Sequence, residues 1–225
     1  PLHKISRRDF STAISRKESG GTTVAGTLIA AHAAGIRVFA TGGIGGVHRD
    51  SAYDISTDLQ ELSRTPVIVV CAGAKSILDL PATLEVLETL GVPVVGFQTD
   101  EFPAFYARSS GLGVSVSAET TQEVAEIAKA HWNLGLKSAI LVVAPPPVDT
   151  ALSEPEMAAA VDRALAEARE KNVKGQKVTP FLLNRVSELT GRASLQANLA
   201  LLLNNAQIAA QIAVAFHGGP KSQLA

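Results

Sequence analysis

The chain has 225 residues, of which 46% are hydrophobic and 18% charged, and its formal net charge is −1. That near-neutral balance excludes a basic surface for nucleic acid or anionic membrane, so neither is expected as a partner. One cysteine excludes an internal disulfide and fits a reducing, cytoplasmic setting; no signal or transit segment is visible, and no apolar run is expected to reach membrane-spanning length without interruption by charge or glycine.

Lys4-Ile5-Ser6-Arg7-Arg8 is basic and reads as a solvated surface segment. Gly20-Gly21-Thr22-Thr23 leads into Val24–Gly35, a helix of small residues suited to close packing on a sheet. Thr22 or Thr23 would be its N-cap, and Gly35 ends it. Arg37–Ala40 is short, apolar and β-prone, hence a strand.

The strand runs into Thr41-Gly42-Gly43-Ile44-Gly45-Gly46, followed by His48 and Arg49. Clustered glycines let backbone N–H groups approach a ligand, and Thr41 stands at a strand exit, where ligands bind in parallel α/β sheets. A phosphate or other anion fits such a place; a glycine-rich turn without a ligand gives the same pattern. Asp54-Ile55-Ser56-Thr57-Asp58 comes next. In a first helical turn the two carboxylates share a face, as hard oxygen donors for a mostly water-coordinated Mg²⁺ or Mn²⁺; alternatively Asp54 is an N-cap.

Pro66–Ala72 is a continuous apolar run, as in a buried parallel strand, and it ends at Gly73-Ala74-Lys75-Ser76. A lysine there is partly desolvated, which lowers its pKa and frees an amine for attack on carbon. A surface lysine is the plainer reading. Cys71, inside the run, reads as a small core residue rather than a rival nucleophile.

Pro81–Leu90 is an amphipathic helix and Val92–Phe97 a strand. Phe102–Tyr106 is an aromatic patch with a helical turn, read as core or subunit contact. Gly113–Val116 is a strand, and Ser117 caps a helix over Thr121–Asn133. Ser138–Val143 is a strand broken by Pro145-Pro146-Pro147. Helices follow from Glu154 to Lys171, with Pro155 near N1, and from Pro180 to about Gly191, with a loop over Gly175–Thr179 between them. Ser194–Phe216 is a long apolar helix interrupted by Asn198, Asn204 and Asn205. Such amides must find hydrogen bonds, in a core or at an interface. The alternation predicts a single α/β domain over residues 1–217, a mainly parallel sheet with helices on both faces, and a frayed tail over 218–225.

TGGIGGVHR, DISTDLQEL and VVCAGAKSILDL, with Lys4–Asp9, Gly21–Ala25, Gly91–Pro93 and Thr179–Ala206, resemble the pseudouridine-5′-phosphate glycosidase (indigoidine-synthesis-A-like) family in the same order. The resemblance covers nearly the whole chain. It implies cleavage of the C–C glycosidic bond of pseudouridine 5′-phosphate to uracil and ribose 5-phosphate, reversibly. The route it implies is ring opening and a Schiff base between Lys75 and C1′, whose iminium is the electron sink.

By the same resemblance Asp58 and His48 join Lys75 in catalysis, and Asp54 ligates Mn²⁺ or another divalent cation. Lys4, Val24, Thr41, Ser56, Thr57, Asp58 and Asn198 contact substrate. A homotrimer and a separate or fused pseudouridine kinase are the implied partners. Family members carry roughly ninety residues ahead of Lys4, including a glutamate proton donor, so the chain is expected to be a fragment or processed form. Two further readings stay open. One is a C-glycosynthase joining ribose 5-phosphate to an aromatic acceptor; the other is a non-catalytic sugar-phosphate binder. A dinucleotide-binding domain would need a GxGxxG pattern that is not there.

Overall fold

The computed structural model describes residues 3–49, 54–173, 178–191 and 193–218. The loop read over Gly175–Thr179 therefore lies mostly, and the tail beyond 218 wholly, outside the described residues.

The chain opens with His3–Ile5 (β1), which pairs in parallel with Gly20–Thr22 (β2) after a short helix over Phe10–Arg16 (α1). Thr23 then caps Val24–Ala33 (α2) by accepting from Gly26 N at 3.1 Å. Gly35, at φ +75°, supplies the left-handed residue that ends this helix. α2 packs on Thr57–Leu62 (α3) and on the N-terminal segment. A Cβ on Gly26 would stand 2.8 Å from Ile5 O, so the small residues predicted to fit a sheet serve that contact instead.

Val38–Ala40 (β3), Ile68–Cys71 (β5), Val94–Phe97 (β7), Val116–Ala118 (β8) and Ile140–Val143 (β9) form one parallel sheet, ordered β3-β5-β9-β7-β8. Val47–His48 (β4) and Leu78–Asp79 (β6) make a separate antiparallel pair. The central strands are apolar throughout because both faces are covered. Val69, Cys71, Leu141 and Val143 face one core with Leu28, Leu59, Leu87 of Leu80–Thr89 (α4), Val161 of Glu154–Glu170 (α6) and Leu182 of Val178–Leu189 (α7). Ile68, Val70, Ile140 and Val142 face the other, with Val124 and Ala128 of Thr121–Asn133 (α5). The sheet is thus sandwiched between helices, as the sequence predicted.

Ala193–His217 (α8) contributes to both cores: Ala197 and Leu201 to the first, Ile208 and Ile212 to the second. The expectation that no uninterrupted apolar run reaches membrane-spanning length does not hold here. Ser194–Phe216 contains neither charge nor glycine, and by length and composition the helix could cross a membrane. One face instead lies on β3, β5 and α5, while Leu195, Leu199, Leu203 and Val214 are exposed.

Three local expectations are corrected. The strand predicted at Gly113–Val116 starts only at Val116, and Ser117 lies within it, paired with Gly96. Thr120 is the α5 cap, in a reciprocal capping box with Glu123. Phe102–Tyr106 makes bridges and a turn rather than a helical turn, with Phe105 at φ +63°. Its aromatic rings are core, as expected: Phe102, Phe105 and Tyr106 are all buried.

Candidate active site

The segments leaving β3 and β5 run side by side beyond the sheet. Thr41 N donates to Val70 O (2.9 Å), Ala72 N to Gly42 O (2.9 Å), Ile44 N to Gly73 O (3.0 Å), and Lys75 N to Ile44 O (3.2 Å). This zipper fixes the Lys75 backbone against the glycine stretch, at the C-terminal edge of the sheet. Gly73, at φ +84°, turns the chain there, and a Cβ on it would collide with Pro103 O.

The glycines of Thr41–Gly46 are small because protein groups approach them, not because their Cβ positions are left open. A Cβ on Gly43 would stand 2.7 Å from the Phe105 ring. One on Gly45 would collide with the Ser56 side chain and stand 2.8 Å from Asp58 Oδ2, and one on Gly46 would collide with Thr83. Thr83 Oγ1, wholly buried, accepts from Val47 N at 3.0 Å. Gly42 alone leaves ordinary contact distance, with Asn198 Oδ1 and Leu201 facing it at 3.4 Å.

Asp58 is buried, and both carboxylate oxygens are used. Oδ1 accepts from Ala25 N at the start of α2 (2.8 Å), and Oδ2 from Gly45 N (2.9 Å). One side chain therefore ties α2, α3 and the glycine stretch together, with a charged acceptor at a helix N-terminus. Ser56 caps α3, its hydroxyl accepting from Asp58 N at 3.2 Å. The Thr57 hydroxyl bonds Ser6 Oγ at 2.8 Å, and Arg7 grips Glu61 at 2.8 and 2.6 Å. The basic segment predicted to be merely solvated is docked onto α3, which carries Lys4 to the site's edge.

Asp54 lies outside α3 and is exposed, so it neither caps the helix nor shares a helical face with Asp58. Its carbonyl accepts from His48 N at 3.0 Å. His48 pairs with Leu78, whose N–H donates to Lys75 O at 3.0 Å, and this links the histidine strand to the lysine turn. No group of three or more His, Cys, Asp and Glu side chains converges among the described residues. A single exposed carboxylate suits only a hard cation that keeps most of its waters.

Lys75 is largely withdrawn from water. Burial pushes its amine below the ordinary lysine range; the Asp58 carboxylate opposes that shift, and the Lys4 ammonium adds to it. Lys4, Asp58 and Lys75 therefore share one electrostatic site, with Val24 beside the Ala25 N–H that Asp58 holds. Lys4→Met should raise the Lys75 pKa and Asp58→Asn should lower it further. An NMR pH titration of Lys75 in ¹³C-dimethylated protein checks the pair of signs, and identical midpoints in both variants would contradict them. Cys71 is no rival: burial pushes its thiol up to about 12.

The sequence allows Asn205 a place in the core or at an interface. It is fully buried, and its Nδ2 donates to Thr41 O (2.9 Å) and Gly42 O (3.5 Å), fastening α8 to the head of the glycine stretch. Thr83 and Glu61 are likewise supports that residue type alone did not single out.

The family described as indigoidine synthase A like protein matches residues 1–215. A pseudouridine-5′-phosphate glycosidase of Geobacillus kaustophilus is 54% identical over 214 residues, covering 94% of this chain and 71% of its own. One of Legionella pneumophila is 53% identical over 215 residues, 95% of this chain and 69% of its own. The crystal structure of the prealnumycin C-glycosynthase AlnA in complex with ribulose 5-phosphate superposes with a TM-score of 0.90 at 39% identity, over 96% of this chain and 72% of that one. An indigoidine synthase A-like protein of Thermotoga maritima gives 0.89 at 38% identity, over 95% and 71%. With matching sequence along almost its whole length and the same parallel-sheet fold, the chain belongs to the indigoidine synthase A-like family of pseudouridine-5′-phosphate glycosidases.

Proposed function

We propose that this chain cleaves the C–C glycosidic bond of pseudouridine 5′-phosphate, giving uracil and ribose 5-phosphate, with Lys75 as the covalent nucleophile. The observation that carries the reading is the desolvated Lys75 amine, fixed at the sheet's C-terminal edge in the field of Asp58. The names of the relatives, each identical at half or more of the matched positions, support the substrate.

A C-glycoside has no leaving oxygen on its base, so two carboxylates alone do not suffice. The neutral Lys75 amine forms a bond to C1′ as the C1′–O4′ bond breaks, and the proton its nitrogen then loses passes to O4′, which leaves as a hydroxyl. The nitrogen lone pair then forms C1′=N⁺ while the C1′–C5 electron pair passes to uracil, where C5 takes a proton. Water adds to the iminium, releasing ribose 5-phosphate and restoring the amine.

In this reading Lys4, Asp58 and His48 handle charge and protons around C1′ and O4′. The two ring nitrogens of His48 can accept a proton at one and donate from the other. Thr41, Ser56 and Thr57 hold the phosphate: a hydroxyl that accepts a hydrogen bond, as Ser56 does from Asp58 N, keeps its own proton to donate. Asn198, facing Gly42, and Val24 line the base side. Holding the remote phosphate orients C1′ against the lysine. A divalent cation on Asp54, mostly hydrated, would add positive charge near the phosphate.

A second reading, C-glycosynthesis onto an aromatic acceptor, is favoured by the likeness to AlnA. Product analysis separates them. Incubation with pseudouridine 5′-phosphate and Mn²⁺ is expected to release uracil and ribose 5-phosphate in equal amounts by chromatography. No uracil, but a C-glycoside from ribose 5-phosphate and a naphthol, would overturn the first reading in favour of the second.

A further inference from the structure

A cavity of about 440 Å³ lies between the Leu78–Pro81 corner, the 104–112 loop and α6, and none of the residues assigned above to the Lys75 site lines it. Its walls are mainly apolar, from Leu80, Leu112, Met157 and Val161. The volume falls in the range of small-molecule sites.

Its polar groups are few, and their commitments can be followed. Ser76 lines the cavity, is 92% buried, and its hydroxyl has no hydrogen-bond partner among the described residues. Arg49 donates through Nε to Leu78 O (3.1 Å) and through Nη2 to Ser76 O (3.2 Å), which holds its guanidinium at the rim. Its third bond, from Nη1 to Asp162 Oδ1, is long at 3.4 Å, and the Asp162 side chain is 70% exposed. A guanidinium carries five N–H donors, so two are left unused by the described residues. Asp79 also lines the cavity, but its Oδ1 accepts from Ala82 N as the α4 cap, at 3.0 Å. The Ser110 hydroxyl is taken by Phe102 O.

One cation with spare donors thus borders an apolar chamber that also holds a buried hydroxyl in need of a partner. A phosphate would bring several oxygens to walls without donors and set a dianion beside Asp79. A carboxylate needs only one planar pair of donors, which arginine supplies. We propose that this cavity is a ligand site, separate from the Lys75 site, for a compact carboxylate with an apolar body. The body would pack between Leu80, Leu112, Met157 and Val161, and the carboxylate would meet Arg49.

The test is calorimetric titration with phenylacetate, its neutral analogue phenylacetamide, and inorganic phosphate, on wild type, Arg49→Gln and Ala158→Trp. Ala158 is exposed on α6 and lines the cavity, so a tryptophan there adds bulk at the cavity wall from outside the core. Thermal melting checks that each variant is folded. Saturable phenylacetate binding is expected, at least tenfold weaker for phenylacetamide and for Arg49→Gln, and lost in Ala158→Trp. No saturable phenylacetate binding by wild type would overturn the proposal. So would equal affinity in wild type and folded Ala158→Trp, or tighter binding of phosphate than of phenylacetate. If Arg49→Gln does not fold, the Ala158→Trp and phenylacetamide arms decide.

Discussion

Lys75→Ala is expected to lower the rate of uracil release by roughly 10⁴-fold or more while leaving the fold intact, since removing a covalent nucleophile forfeits most of the catalysis built around it. The backbone at this position is held by main-chain bonds, Lys75 N to Ile44 O and Leu78 N to Lys75 O, which alanine keeps. No ion pair to the Lys75 ammonium within 4.0 Å is formed among the described residues, and Asp58, whose carboxylate acts on that ammonium, keeps its Ala25 and Gly45 N–H donors when the lysine is truncated. Lys75→Arg should be as inactive, because a guanidinium is never the free amine that attack on C1′ requires. Steady-state assay with pseudouridine 5′-phosphate, beside a thermal melt, checks both variants. A loss under tenfold in a folded Lys75→Ala protein would show that the lysine only binds.

Asp58→Ala should cost stability as well as activity. It leaves the Ala25 and Gly45 N–H groups buried without a partner, at about 1–3 kcal/mol each, so a loss of roughly 2–6 kcal/mol in urea unfolding is expected. Asp58→Asn keeps the volume but presents an amide NH₂ to one of the two donors, so it should recover only part of that loss. A loss below about 1 kcal/mol for alanine would mean that α2 and the glycine stretch do not depend on this carboxylate.

The central strands and the long helices were legible because burial leaves a plain mark: Ile68–Cys71 and Ile140–Val143 are apolar at every position since both faces are covered. The candidate lysine was legible for the same reason, as a cation at the end of such a run. The short pairs were not. Strands of two or three residues, such as His3–Ile5 or Val47–His48, carry too few positions for any period to show.

The glycine stretch is plain in the sequence, but the protein groups that crowd it are not. Its small residues make room for Ser56, Thr83 and Phe105, which lie 11 to 62 residues away in sequence from the glycines they meet, and no local pattern announces such neighbours. The Asp54–Asp58 pair failed because four-residue spacing implies a shared face only inside a helix, and Ser56 starts the helix between them. Ser117 failed as a cap because its neighbours pair with β7, which leaves Thr120 and Glu123 to close the capping box. The uncharged length of α8 was obscured by reading its asparagines as interruptions. Asn205 in fact reaches back to Thr41, a contact spanning 164 residues.

The central claim, a Schiff base on Lys75, is met most directly by intact-protein mass spectrometry after borohydride reduction in the presence of ribose 5-phosphate. A reduced sugar-phosphate adduct on wild type, mapped to the Lys75 peptide and missing from Lys75→Ala, is the predicted result. A folded, Mn²⁺-supplemented wild type that gains no adduct, or one that gains it equally in Lys75→Ala, would contradict it.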